Sequence, residues 1–410
     1  MANVSSSNGL EKRPKLRFPG FDGPIKSAHL SQYLVENKER NKNLIYTKSD
    51  VLSVSGEYGI VNQIEFQGRS FAGESVAEYH VVETNDIVYT KSPLKANPYG
   101  IIKVNNGAPG IVSTLYAVYH PCEGTVAEYI DYYFGNDLRL NKYLKPLVNI
   151  GAKHDMKVNN ETVLTGEVYF PGYSEQKKIV GFLTILDERI RQQRNLVEAL
   201  KKYKRGAVRS LLSAKSCPLK NASWTTAKMG ELGYFIKGAP LSKADISEDG
   251  TPFILYGELY TTYNEVVTSV KRRTQAQIDE TFLSRVGDVV IPTSGETPEE
   301  ISTASCVMLP DVILAGDLNI FRGDKVDGRI MSYLLNHVVN GKIARIAQGK
   351  SVVHIQASEL CKLTLTYPDK NTQNTIIGFL SLLDDKIMNE ENLLAFLSVL
   401  KEGLLQQLFI

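Results

Sequence analysis

At 410 residues the chain is too long for one ordinary core, and its 43% hydrophobic and 22% charged content excludes a disordered or fibrous chain. Forty-seven Lys and Arg against 45 Asp and Glu leave a net +2, short of the basic balance of a free-standing nucleic-acid binder, so charge alone points to no partner. Cys122, Cys217, Cys306 and Cys361 lie far apart without a CxxC pair, which fits reduced thiols, implies no disulfide framework and argues against structural zinc, and no uncharged apolar run is long enough to span a bilayer.

The opening MANVSSSNGL lacks the apolar stretch of a secretory signal, so residues 1–15 are expected to be a disordered leader of a cytoplasmic protein. Residues 16–170 form the first globular segment. A strand-like run, Asn85 to Tyr89 with Asp86 near its start, leads into a polar loop, TKSPLKANPYG at 90–100, and then into a strand pattern at 110–119. A helix-like stretch follows near Tyr129 to Tyr143, then a glycine turn, NIGAKH, and VLTGEVYFP.

Residues 171–215 read as one long helix opening at Pro171. Apolar residues recur four and three apart at Ile179, Leu183, Leu186, Ile190, Val197, Leu200, Ala207 and Leu211, with Gln193 and Lys204 as the polar interruptions. That 3.5-residue period is the pattern of a coiled-coil seam.

The plan then repeats. Residues 219–365 hold a strand-like run, Gly287 to Ile291 with Asp288, a polar loop, PTSGETPEE at 292–300, and a strand pattern at 312–321. A helix-like stretch near Ile330 to Ile343, a turn AQGKSVVHI and CKLTLTYP come next. Residues 368–410 form the second long helix, with a seam at Ile376, Leu380, Leu383, Ile387, Leu394, Leu397, Leu404 and Leu408, interrupted at Glu390 and Lys401. At an offset of 197 residues, 171–213 aligns with 368–410 without a gap, and 15 of the 43 positions are identical. This is a duplicated unit. Residues 174–215 carry eleven basic and four acidic side chains, whereas 371–410 carry two and five, so opposite charge favours pairing the helices. The alternative is that each helix packs on its own domain.

Constellations for catalysis are missing. NPYG at 97–100 lacks the second proline of an amino methyltransferase motif, and no glycine-rich cofactor loop accompanies it. Pro368-Asp369 with Asp384-Asp385-Lys386 formally matches a scattered nuclease pattern, but Asp384 falls inside the helix and the duplicate has Pro171-Gly172. The six histidines are scattered.

The opening PKLRFPGF at 14–21, Trp224 with Gly230-Glu231-Leu232-Gly233, IAQGKSVVHI at 346–355 and the pattern of Pro171, Glu175, Gln176 and Ile179 followed by GFLxxLD carry a family resemblance. The chain resembles the specificity subunit of type I restriction-modification systems over essentially its whole length. That resemblance implies an α+β architecture of two mixed α/β target recognition domains separated by an antiparallel coiled coil of two long helices. Each domain would read half of a split, asymmetric site in double-stranded DNA. Helices of roughly 33 to 36 residues would hold the domains about 50 Å apart, one and a half turns of B-DNA.

The resemblance further implies a noncatalytic chain that binds no cofactor and joins two modification subunits and two restriction subunits. S-adenosylmethionine, ATP and magnesium would serve those partners. Two departures stand out. PIKSAHL at 24–30 replaces the Trp and Leu-Gly-Glu common in the family, and Thr372 replaces Glu175, leaving the second helix without an acidic residue in its first turn.

Base edges are read by amide, basic and hydroxyl side chains, with others holding phosphates. The first domain offers Tyr58, Asn62, Gln63, Arg69, Lys91 and Tyr99. The second offers Lys237, Lys243, Tyr256, Tyr260, Arg272, Arg273, Thr293, Ser294, Gln348 and Lys350. Outside the helices the net charge is −2, so DNA would be held by local patches and with a basic partner. The rival reading is a coiled-coil scaffold with protein-binding domains.

Overall fold

The computed structural model describes residues 11–150, 156–347 and 353–410. The expected glycine turns at NIGAKH and AQGKSVVHI, with Gln348 and Lys350, and most of the 1–15 leader lie partly or wholly outside the described residues. The chain divides into two compact units, one of residues 1–193 with 393–410 and the other of residues 194–392.

The first unit is organised by a four-stranded antiparallel sheet in the order Leu34–Asn37, Tyr116–Pro121, Ile87–Thr90, Ile102–Val104. Ile87, Val88 and Tyr89 are buried without a gap, as expected of a central strand covered on both faces. Two short helices, Ala127–Phe134 and Asp137–Leu144, cover the sheet with Ile130, Phe134, Leu140 and Leu144. The sequence read them as one stretch. Gly135 and Asn136 break it, and the Asn136 side chain caps the second helix by accepting from the Arg139 amide.

The second unit repeats the arrangement: Tyr234–Lys237, Leu318–Arg322, Asp288–Pro292, Ser305–Val307, with Val266–Val267 added as a fifth, parallel strand. Helices Gly328–His337 and Asn340–Ile346 lie where the first unit has its pair. The strand patterns expected at 110–119 and 312–321 are each divided in two. Gly110–Val112 is followed by Tyr116–Pro121, and Ile313–Ala315 by Leu318–Arg322, the halves pairing with different strands. Left-handed Gly316, at φ +78°, makes the second break.

The long helices are Tyr173–Leu211 and Lys370–Leu408, 39 residues each. Their first halves enter the cores of the domains they follow. Ile179 and Leu183 pack in the first unit, Ile376 and Leu380 in the second. The end of the other helix completes each core, with Leu408 and Phe409 in the first unit and Val208 and Leu212 in the second. Within each unit the helical segments therefore run antiparallel. Lys401 pairs with Asp187 in the first unit and Lys204 with Asp384 in the second, positions that the 197-residue offset exchanges. Every seam position is buried or half-buried, Ile179, Leu183, Val197, Ile376, Leu380, Leu383, Ile387 and Leu408 among the buried ones.

The second helix does receive an acid at its start. Asp369, one residue before it, accepts from the Asn371 and Thr372 amides at 3.1 Å and from the Thr372 hydroxyl at 2.8 Å. Those bonds, with the Ser223 amide, hold its carboxyl down at about 2. In the first helix Glu175 is bound by Arg17 of the PKLRFPGF segment at 2.7 Å.

Candidate nucleic-acid interface

A reader of DNA must present its loops on a rigid support, and a repeated polar junction supplies one in each unit. Tyr132 donates to Asp187 at 2.8 Å, and Lys401 lies over its ring. Tyr333 donates to Asp384 at 2.8 Å, and Lys204 lies over its ring. Buried glutamines repeat as well. Gln176 donates to the Pro171 carbonyl and accepts from the Val126 amide, and Gln373 does the same with Pro368 and Asp327. Each glutamine thus ties the start of a long helix to the start of a short one.

The junctions differ in one respect. In the second unit Glu265 accepts from Lys204 at 2.7 Å and sits 2.5 Å from His337 Nε2. Burial alone would raise its carboxyl, but the His337 and Lys204 contacts outweigh that and hold it at about 2. Burial also opposes the charge on Lys204, and Glu265 with Asp384 nevertheless raises its ammonium. Neither Glu265 nor His337 was singled out in the sequence. Nothing local connects position 204 to 265 or 337.

In the first unit the candidates divide between structural and available groups. Asn62 caps the short helix Gln63–Gln67, accepting from the Ile64 and Glu65 amides and donating to the Ser49 carbonyl. Gln63 donates to Ser53 and accepts from the Phe71 amide. Both side chains are committed to local backbone and turn structure. Tyr58 is 59% exposed and meets the Phe66 ring at 5.2 Å with the planes tilted by 51°, and exposed Arg69 lies over the Phe71 ring, so these present aromatic and cationic surface. Lys91 is half-buried and donates to Asn160. Burial lowers its ammonium. The Tyr99 ring packs against the core, and its carbonyl accepts from Tyr89.

The second unit gathers several of its candidates. Lys243, Tyr256, Tyr260 and Arg272 line one hollow of about 700 Å³ together with Ser242, Glu258, Thr261 and Asp317. Their loops meet because Thr251–Leu255 pairs with both Arg272–Thr274 and Ile313–Ala315. Arg272 is held by Glu258 at 2.7 Å, so it arrives with a fixed orientation. Lys243 is exposed on the rim. Burial, Tyr256 and the carboxylates of Glu300 and Glu296 keep the Tyr260 phenol protonated, a donor as well as an acceptor.

Ser294, buried, donates to Asp317 at the edge of the hollow. The Thr293 hydroxyl is buried and has no hydrogen-bond partner among the described residues. Exposed Lys237 donates to Asn319, and Arg273 donates to the Gly250 carbonyl, both outside the hollow.

The motifs weighed for catalysis have structural explanations. Asn97 of NPYG is buried, donates to Asp137 and accepts from the Gly100 amide, closing a turn with Gly100 at φ +88°. Asp369 is the helix cap, and Asp384 is engaged by Lys204 and Tyr333. Fifteen residues at 1.5 Å each put these two carboxylates about 22 Å apart, too far to share a metal ion.

Residues 221–397 match the family model for the type I restriction modification DNA specificity domain. Among curated proteins no sequence matches. Two solved structures share the fold over nearly the whole chain. One is a chain from work on complex assembly and conformational transition of the type I R-M system, with TM-score 0.56 and 17% identity, covering 97% of this chain and 99% of its own. The other is the type I restriction-modification S subunit from M. genitalium, with TM-score 0.57, 14% identity and the same coverages.

Proposed function

We propose that this chain, whose residues 221–397 match the type I restriction modification DNA specificity domain, is the noncatalytic subunit that tells a methyltransferase and endonuclease complex where to act. The observation that carries this reading is a plan that occurs twice, one copy of which matches a DNA specificity domain. The second unit matches the family, and the first repeats its sheet order, its paired short helices and its tyrosine, aspartate and lysine junction.

Each unit reads one half of a bipartite site in double-stranded DNA. The frames are alike and the loops are not, so the two halves differ in sequence. In the second unit the readers are Tyr256, Tyr260 and Arg272 around their hollow, with Lys243 holding a phosphate beside them. In the first they are Tyr58 and Arg69, with Asn62 and Gln63 shaping the loop that carries them. The 39-residue helices, about 58 Å each, set the unread spacer and dock two modification subunits. The modification subunits use S-adenosylmethionine, and two restriction subunits use ATP and magnesium. Among the described residues no helix is long and apolar enough to cross a membrane.

Single-molecule sequencing of a genome that carries this protein tests the reading. Methylated adenines should fall in a motif of two dissimilar halves with a fixed gap. A continuous palindrome, or methylation by the isolated chain, overturns it.

A further inference from the structure

The charge on the first long helix is far larger than its pairing uses. Between residues 194 and 209, Lys201 meets Glu391 and Lys204 meets Asp384 and Glu265. Arg194, Lys202, Arg205 and Arg209 are exposed, and among the described residues none has a carboxylate within ion-pair distance. At 100° per residue these four fall within about 80° of arc, on a face turned roughly 140° from the seam of Val197, Leu200, Lys204 and Ala207. Glu198 shares that arc, leaving a net +3.

The frame does not require this stripe. At the equivalent positions the second helix carries Glu391, Val399, Glu402 and Gln406, with the same seam and the same junction. Glu198 shares their face without an ion pair to any of the four among the described residues, so a net repulsion remains, and a duplicated helix without these cations shows that packing does not maintain them. An anionic partner accounts for them. The stripe runs about 22 Å, a length of duplex axis over which each strand of B-DNA carries about six phosphates, enough to offer one to each of the four side chains.

We infer that Arg194, Lys202, Arg205 and Arg209 hold the sugar-phosphate backbone of the duplex without reading its bases, adding affinity that the near-neutral domains lack. This rests on the DNA-reading function proposed above and assigns a contact to the helix in addition to the domains.

The test uses the full chain co-purified with its modification subunits, wild type or carrying Arg194→Gln, Lys202→Gln, Arg205→Gln and Arg209→Gln together. Binding of a duplex with the recognised motif and of a scrambled duplex is followed by fluorescence anisotropy against KCl. Each phosphate contact contributes about 0.9 to the slope of log affinity against log salt, so the fourfold variant should lose about 3.6. Its preference for the motif should stay unchanged. Methylphosphonate linkages in the unread gap should weaken the wild type and not the variant. Arg205→Gln alone, for which the expected loss is about 0.9, serves if the fourfold variant does not fold.

An unchanged slope with intact motif preference overturns the inference and leaves the function standing. Loss of the modification subunits from the variant at an unchanged slope also overturns it, making the stripe a protein-docking surface. A wild type that shows no motif preference refutes the DNA-reading function, and this inference with it.

Discussion

Replacing Lys204 and Lys401 by methionine, one at a time, probes two positions that the repeat makes equivalent but their surroundings do not. The Lys204 side chain is 10% exposed and binds both Glu265 and Asp384. Glu265 is held at about 2 against 4.5 for a free glutamate, a difference of roughly 3 kcal/mol at neutral pH. His337 supplies part of that hold, so Lys204→Met should cost about 2–3 kcal/mol, at or just below the roughly 3–5 kcal/mol usual for breaking a buried ion pair. Lys401 is 28% exposed and its one ion pair among the described residues is with Asp187, itself 37% exposed, so solvent screening leaves Lys401→Met a cost of about 1 kcal/mol or less.

Urea unfolding read by Trp224, the sole tryptophan and a residue of the second unit, separates the two. At about 2 kcal/mol per molar urea, Lys204→Met moves the midpoint down by about 1 M, while Lys401→Met leaves the Trp224 transition nearly in place. The depressed pKa of Glu265 stabilises the fold above about 4.5, and the effect fades as pH falls towards 2. The gap between wild type and Lys204→Met should therefore shrink by about 1 kcal/mol between pH 7 and pH 3.5. Equal midpoint shifts for both variants, or a gap indifferent to pH, refute the reasoning.

Asn62→Ala removes a helix cap and should lower the stability of the first unit by about 1 kcal/mol, visible by hydrogen exchange at residues 63–67, whereas Arg69→Gln should leave stability unchanged and weaken DNA binding. Tyr256→Phe keeps the ring and deletes a hydroxyl in the hollow. It should reduce affinity for the recognised site by about two- to tenfold without changing binding to scrambled duplex. Lys243→Gln should weaken both duplexes alike and reduce the salt slope by about 0.9.

Much of the frame was legible in the chain. The four-three spacing marks the seam because a helix that buries one narrow stripe must place apolar residues on it, and the 197-residue offset marks the duplication because both copies obey that constraint. The strands around Asp86 and Asp288 were legible for the same reason, as continuous β-branched and aromatic runs. The breaks at 113–115 and 316–317 were not, since they depend on which strand each half pairs with.

The sites show the same division. The residue types suited to reading DNA stand in the loops, and the sequence identified Lys243, Tyr256, Tyr260 and Arg272 by chemistry. Only the pairing of Thr251–Leu255 with its two neighbours brings them to one hollow. Asn62 and Gln63 have the right chemistry too, but local hydrogen bonds spend it on the loop itself. Helical periodicity is a property of residues three and four apart, so the sequence by itself determined the two helices and their seam. The Glu265, His337 and Lys204 cluster, and the four exposed basic residues without an ion pair among the described residues, depend on contacts and exposures set by positions distant in the chain, and these the tertiary structure alone decided.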